Sequence, residues 1–173
     1  TTGVAGNISI TASGSVSTVS SIESLGGPLG GDISVLAGNG SITLDAGSTN
    51  AVSASGSVRS GNISLTALNN IAFHRNLDTS STGTAGNVAL SITGAGNVAF
   101  NPTCCSRPHI LSTGGSGNGG NVSININQSV LPSGTSGKNS GIVSDNGSPI
   151  NVSSVSGAGG NVAAEFVARA APD

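Results

Sequence analysis

Gly61-Asn62-Ile63-Ser64-Leu65-Thr66-Ala67 is the stretch on which the fold turns. After the Gly-Asn step, apolar and hydroxyl side chains alternate with the period of a β-strand, which sends Ile63 and Leu65 to one face and Ser64 and Thr66 to the other. The same heptad style recurs as GNISITA from Gly6, GDISVLA from Gly31, GNVALSI from Gly86, GNVSINI from Gly120 and GNVAAEF from Gly160. Successive openings are separated by 25, 30, 25, 34 and 40 residues. Such spacing suits a solenoid coil of three short strands, which takes about 20 to 30 residues.

A second apolar run follows each first one at a nearly fixed offset: the leading pairs Ile8/Val16, Ile33/Ile42, Ile63/Ile71, Val88/Val98 and Val122/Val130 lie 8 to 10 residues apart. Turn residues such as Gly38-Asn39-Gly40 and Gly94-Ala95-Gly96 fill the gap. A weaker third element comes next, at Ile22-Glu23-Ser24, Val52-Ser53-Ala54, Leu77-Asp78-Thr79, Ile110-Leu111-Ser112 and Ile142-Val143-Ser144. The order of strand, short turn, strand, long turn predicts an all-β fold: a right-handed parallel β-helix (β-solenoid) of about six to seven coils, each of three short strands. An antiparallel sandwich also uses Gly-Asn and Asn-Gly hairpin turns, but it does not reproduce this order coil after coil.

In a stack of coils each strand pairs with its counterpart one coil away, at about 4.8 Å, so that Ile and Val form ladders inside and Ser and Thr outside. One coil cannot bury its apolar face; a stack can. The recurring glycine, Gly6 and its equivalents, is expected at a positive-φ turn position. The residues after it, Asn7, Asp32, Asn62, Asn87, Asn121 and Asn161, are expected to form a side-chain ladder along one corner.

Charged residues make up only 7% of the chain, against about a quarter in globular domains. Disordered chains are rich in charge and poor in β-branched residues; here Ile and Val recur regularly and mean hydropathy is +0.18. With a net charge of −2 and five basic residues, the chain has no basic stripe for a phosphate backbone. No run approaches the roughly 20 apolar residues of a membrane span. Nucleic acid binding and membrane insertion are therefore not expected. The first residues carry no signal-peptide pattern, and Thr1–Asn7 closely matches the internal Ser81–Asn87, so the sequence reads as an excerpt of something longer. Residues 1–173 form a single solenoid segment, with coils opening near 6, 31, 61, 86, 120 and 160 and a tail over 167–173. In the 40-residue interval from Gly120 to Gly160, the strand-like Ile150-Asn151-Val152-Ser153 is either an additional coil near 150 or a hairpin insertion; the additional coil is the favoured reading.

From Thr1 to about Phe166 these repeats resemble the filamentous-haemagglutinin-like surface proteins of two-partner secretion systems, and in style the large cyanobacterial examples. The resemblance implies a right-handed β-helix, export across the outer membrane, and an extracellular or bacterial cell-surface location as an extended adhesin or stalk. The family's secretion domain is not recognisable in this chain.

Few residues carry chemistry. Cys104 and Cys105 are adjacent in a polar insertion, where they could bridge to each other, to other chains, or stay as thiols; exported proteins sit where disulfides persist. Only His109 is near them in sequence, short of a zinc ligand set. His74-Arg75-Asn76-Leu77-Asp78 is the most functional-looking polar cluster, and Arg107 and His109 fall near its position one coil on. Pectate-lyase-like enzymes share the β-helix and use an arginine and calcium-binding acids. Here the acids are scattered and no pair has the spacing of a two-carboxylate site. Gly26–Asp32 does not fit the frame of calcium-binding nonapeptides. The sequons at Asn7, Asn62 and Asn121 coincide with the repeat and read as by-products of it. Phe73 and Phe100 share a repeat position, as stacked core aromatics.

The expected function is a structural rod segment of a secreted or cell-surface adhesin or filament, not an enzyme, with no cofactor or metal. Its expected partners are further copies end to end, neighbouring domains of a longer chain, and surface glycans. The alternatives are a carbohydrate- or ice-binding module and, below that, a β-helix polysaccharide lyase testable at Arg75 and Asp78.

Overall fold

A computed structural model describes residues 3–45, 49–100, 110–126, 141–144, 150–151 and 162–165, the last three stretches for their backbone alone. The first coil holds β1 (Ile8–Ala12), β2 (Val16–Thr18) and β3 (Ile22–Glu23). The second holds β4 (Ile33–Ala37), β5 (Ile42–Leu44) and β6 (Asn50–Ser53), the third β7 (Ile63–Ala67), β8 (Ile71–Phe73) and β9 (Asn76–Asp78). The fourth has β10 (Val88–Ile92), β11 (Asn97–Phe100) and β12 (Ile110–Leu111), and the fifth β13 (Val122–Ile126), β14 (Gly141–Ser144) and β15 (Ile150–Asn151). A sixth coil opens with β16 (Val162–Glu165).

Every strand pairs in parallel with its counterpart one coil away, giving three sheets: β1-β4-β7-β10-β13-β16, β2-β5-β8-β11-β14 and β3-β6-β9-β12-β15. This is a parallel β-solenoid. The described strands make up five coils of three strands each and the first strand of a sixth, fewer than the six to seven coils expected from the sequence. Ile150–Asn151 does not open an additional coil: it pairs with Ile110–Leu111 as the third strand of the fifth. Likewise Ile142-Val143-Ser144, taken from sequence as a third element, belongs to the second strand, since Val98 is in register with Ile142. Val130, the expected start of that second strand, lies outside the described residues. The physical reason for both shifts is that the partner coil sets the register. The fixed offset in sequence is only a consequence of similar turn lengths, and it fails where a connection lengthens.

The core is a set of stacked columns. In the first sheet Ile33, Ile63, Val88 and Val122 form one column and Val35, Leu65, Leu90 and Ile124 the next, all at most 4% exposed. Phe73 and Phe100 adjoin in the second sheet, with ring centroids 4.6 Å apart and planes at 63°, an edge-to-face contact. A buried column of this kind is the sheet's main stabilisation, at about 1.5–3 kcal/mol for each large side chain removed from water.

The repeat glycine is required for a different reason from the one the sequence suggests. None of Gly6, Gly31, Gly61, Gly86 and Gly120 has a positive φ. Instead, a Cβ at Gly31, Gly61, Gly86 or Gly120 would run into the carbonyl oxygen of the corresponding glycine one coil before. Two coils approach here more closely than any side chain permits. Hydroxyls at the ends of the third strands fill the remaining space: Ser24 donates to Gly6 O at 2.5 Å and Ser112 to Gly86 O at 2.6 Å.

Candidate functional site

Three side-chain ladders run along the corners of the rod. In the first, the residue after each repeat glycine uses its side-chain oxygen to accept the backbone N–H of its counterpart in the next coil. Asn7 Oδ1 accepts from Asp32 N at 2.9 Å, Asp32 Oδ1 from Asn62 N at 2.8 Å, Asn62 Oδ1 from Asn87 N at 2.9 Å, and Asn87 Oδ1 from Asn121 N at 2.8 Å. Asn62 Nδ2 also donates to Asp32 Oδ1 at 3.0 Å. These amides begin a strand and have no sheet partner, so the side chain completes the accounting that a backbone donor demands. Asn161 lies outside the described residues.

Sequence reasoning missed the other two. At the start of the second sheet, Ser15 Oγ accepts from Ser41 N at 3.1 Å, Ser41 Oγ from Asn70 N at 3.2 Å, and Asn70 Oδ1 from Asn97 N at 2.9 Å. The signal was present: Ser or Asn stands immediately before Val16, Ile42, Ile71 and Val98. The third ladder sits in the long turn, where Ser57 Oγ donates to Gly27 O at 2.5 Å, Thr82 Oγ1 to Ser57 O at 2.5 Å and Ser116 Oγ to Thr82 O at 3.2 Å. Here no strand pattern marks the frame, because the turns differ in length.

Beside this third ladder lies a groove of about 460 Å³ that crosses four coils, lined by Leu25, Ser55, Ser57, Ser80, Thr82 and Thr113 among others. Most of its hydroxyl protons are already used within the rod. Ser57 and Thr82 donate to the neighbouring coil, and Ser80 Oγ donates to Asp78 Oδ1 at 2.6 Å. The groove therefore offers mostly acceptor lone pairs to solvent.

The polar cluster of the third coil is largely structural. His74 and Arg75 form the turn between β8 and β9, with His74 N donating to Leu44 O at 3.0 Å. Asp78 Oδ1 accepts from Ser80 N at 2.8 Å as well as from the Ser80 hydroxyl, and Asp78 Oδ2 accepts from Asn50 Nδ2 at 3.2 Å. A carboxylate so engaged closes a turn and ties two coils. Cys104, Cys105, Arg107 and His109 lie outside the described residues. Among the described residues no three His, Cys, Asp or Glu come together as a metal site. No helix among the described residues is long and apolar enough to cross a membrane. Set against models of known families, curated proteins and solved structures, the chain matches none of them.

Proposed function

We propose that this chain is a structural rod segment of a secreted or cell-surface filament or adhesin, acting by attachment or lengthwise self-assembly. The observation that carries the reading is the continuity of the buried core columns from coil to coil, each strand in parallel register with its counterpart. Interior core residues are 0–1% exposed from Ile33 to Ile110 in most columns, while Ile8, Ile10 and Ala12 of the first coil are only partly buried. Each coil thus repeats the cross-section of the one before it, as a rod built by stacking requires. Nearly neutral outward faces and interlocking corner ladders suit a mechanical role, and no step of chemistry is assigned to any residue.

A carbohydrate-binding module is the second reading, favoured by the hydroxyl-lined groove. It ranks lower because the described aromatics, Phe73 and Phe100, are 0% and 2% exposed and supply no stacking platform for a sugar ring. Electron microscopy of the purified chain tests the first reading, with narrow rods that lengthen with concentration as the expected result. Uniform single particles at all concentrations, together with specific signals on a glycan array, would replace it by the second.

A further inference from the structure

We propose that the groove beside the third ladder is a binding site for a linear polyamine, a chain of ammonium groups separated by short methylene runs. The groove lies on the flank of the rod and does not depend on how copies assemble, so the proposal goes beyond the structural role.

The hydroxyl protons of the lining are committed to the rod itself. Ser57 Oγ donates to Gly27 O, Ser81 Oγ to Gly56 O at 2.7 Å, Thr82 Oγ1 to Ser57 O and Ser80 Oγ to the Asp78 carboxylate. Each acceptor is a carbonyl or carboxylate oxygen, which fixes the direction of the bond. Backbone donors of the lining are committed as well. Gly26 N donates to Ser55 O at 3.3 Å, Ser57 N to Gly27 O at 2.8 Å and Ser81 N to Thr113 O at 3.0 Å. Gly56 N donates to Ser60 Oγ at 3.2 Å and Ser80 N to Asp78 Oδ1. What faces the groove is a row of oxygen lone pairs on successive coils, repeating at about 4.8 Å.

A sugar hydroxyl both donates and accepts, so a neutral glycan would leave its own acceptors unmatched here. An ammonium group carries donors alone. Charge points the same way. Glu23, Ser53 and Asp78 are in register on successive third-sheet strands. Glu23 stands two residues before Leu25 and Asp78 two before Ser80, on the same outward face by strand alternation. Two acidic positions therefore flank the groove, two coil steps or about 10 Å apart along the rod. The lining holds no cationic side chain, and Leu25, which is 56% exposed, offers contact for methylene groups. Three coil steps give the groove a length of about 14 Å, which suits an extended triamine or tetraamine, and its volume of about 460 Å³ is that of a small-molecule site.

Titration calorimetry of the full chain with spermine at low ionic strength tests the proposal. Saturable binding of one spermine per chain is expected, weaker for spermidine, weakest for putrescine, and falling as salt is added. Leu25→Lys places a competing ammonium at an exposed position that packs no core, and is expected to abolish saturable binding. Glu23→Gln should lower the affinity about twofold to fivefold, the range of one exposed charge pair. Asp45→Asn, at an exposed acid in the connection between β5 and β6, should leave it unchanged. The absence of saturable spermine binding overturns the proposal. So does an affinity that survives Leu25→Lys, or one that falls equally in Glu23→Gln and Asp45→Asn, since the attraction would then be to the net charge of the rod. Binding of neutral cellotetraose that is lost in Leu25→Lys and that spermine does not displace would assign the groove to the carbohydrate reading instead.

Discussion

In the first coil Ile8, Ile10 and Ala12 are only partly buried, whereas their counterparts Ile63, Leu65 and Ala67 two coils on are 1%, 0% and 0% exposed. The two heptads, GNISITA and GNISLTA, differ by a single residue. What separates the two is the number of neighbouring coils, since β1 has one partner strand and β7 has two. All six exposed large hydrophobics among the described residues, Val4, Val19, Leu25, Leu29, Leu36 and Val58, also fall in or beside the first two coils. Stability in this molecule is therefore a property of interfaces between coils, and a residue's contribution depends on its place in the stack more than on its identity.

The comparison can be broken most severely at the core. Phe73→Ala, which removes a fully buried ring from the third coil, is expected to cost about 3–5 kcal/mol, while Ile10→Ala in the first coil should cost well under half of that. Denaturant unfolding of both variants checks the ratio, with hydrogen exchange resolving which coils open, because a repeat array need not unfold in one step. Equal costs would show that the first coil is covered in solution.

The repeat glycines offer the next largest contrast. Gly86→Ala drives a methyl group into the Gly61 carbonyl and is expected to lose about 2–3 kcal/mol. Gly6→Ala meets nothing within 4 Å, and should be neutral or stabilising by up to about 1 kcal/mol through the unfolded chain. Thermal melts of the two side by side suffice; a comparable loss at Gly6 would mean that a further coil already sits against it.

The ladder sharpens the comparison at smaller scale. Asn62→Ala removes two interactions, to Asn87 N and to Asp32 Oδ1, and Asn7→Ala removes one, to Asp32 N. At an exposed corner each is worth about 0.5–1.5 kcal/mol, so the interior rung should cost nearly twice the terminal one. Smallest of all is Thr18→Val. The Thr18 hydroxyl is buried without a hydrogen-bond partner among the described residues, in the column that continues as Leu44, Phe73 and Phe100. Replacing it by a methyl group of similar shape should raise stability by about 1 kcal/mol or less, narrowing the gap between first and interior coils.

Much of this was legible in the residues. The alternation after each Gly-Asn or Gly-Asp step located the first-sheet strands β1, β4, β7, β10, β13 and β16, because a half-buried strand writes its two faces directly into the sequence. The pairing of Phe73 with Phe100 followed from equal positions in two repeats. The fifth coil was misread for the opposite reason. Val130 satisfies the offset of the earlier coils and Ile142 falls next in order as a third element, yet Gly141–Ser144 is the strand that matches Asn97–Phe100. An alternating run states that it is a strand, and says nothing about which neighbour it will join. The glycine's role was hidden in the same way: a close approach to a carbonyl 25 to 34 residues earlier leaves no local trace that distinguishes it from a turn.

By itself, then, the sequence determined the strand period, the inward and outward faces, and the repeat that makes stacking possible, since each is a property of one coil's own residues. The register of the lengthened fifth coil, the crowding at the glycine carbonyls and the common direction of the corner ladders were decided only by the tertiary structure. Each of these is a relation between two coils, and it exists only once backbone groups far apart in the chain have been brought within hydrogen-bonding distance.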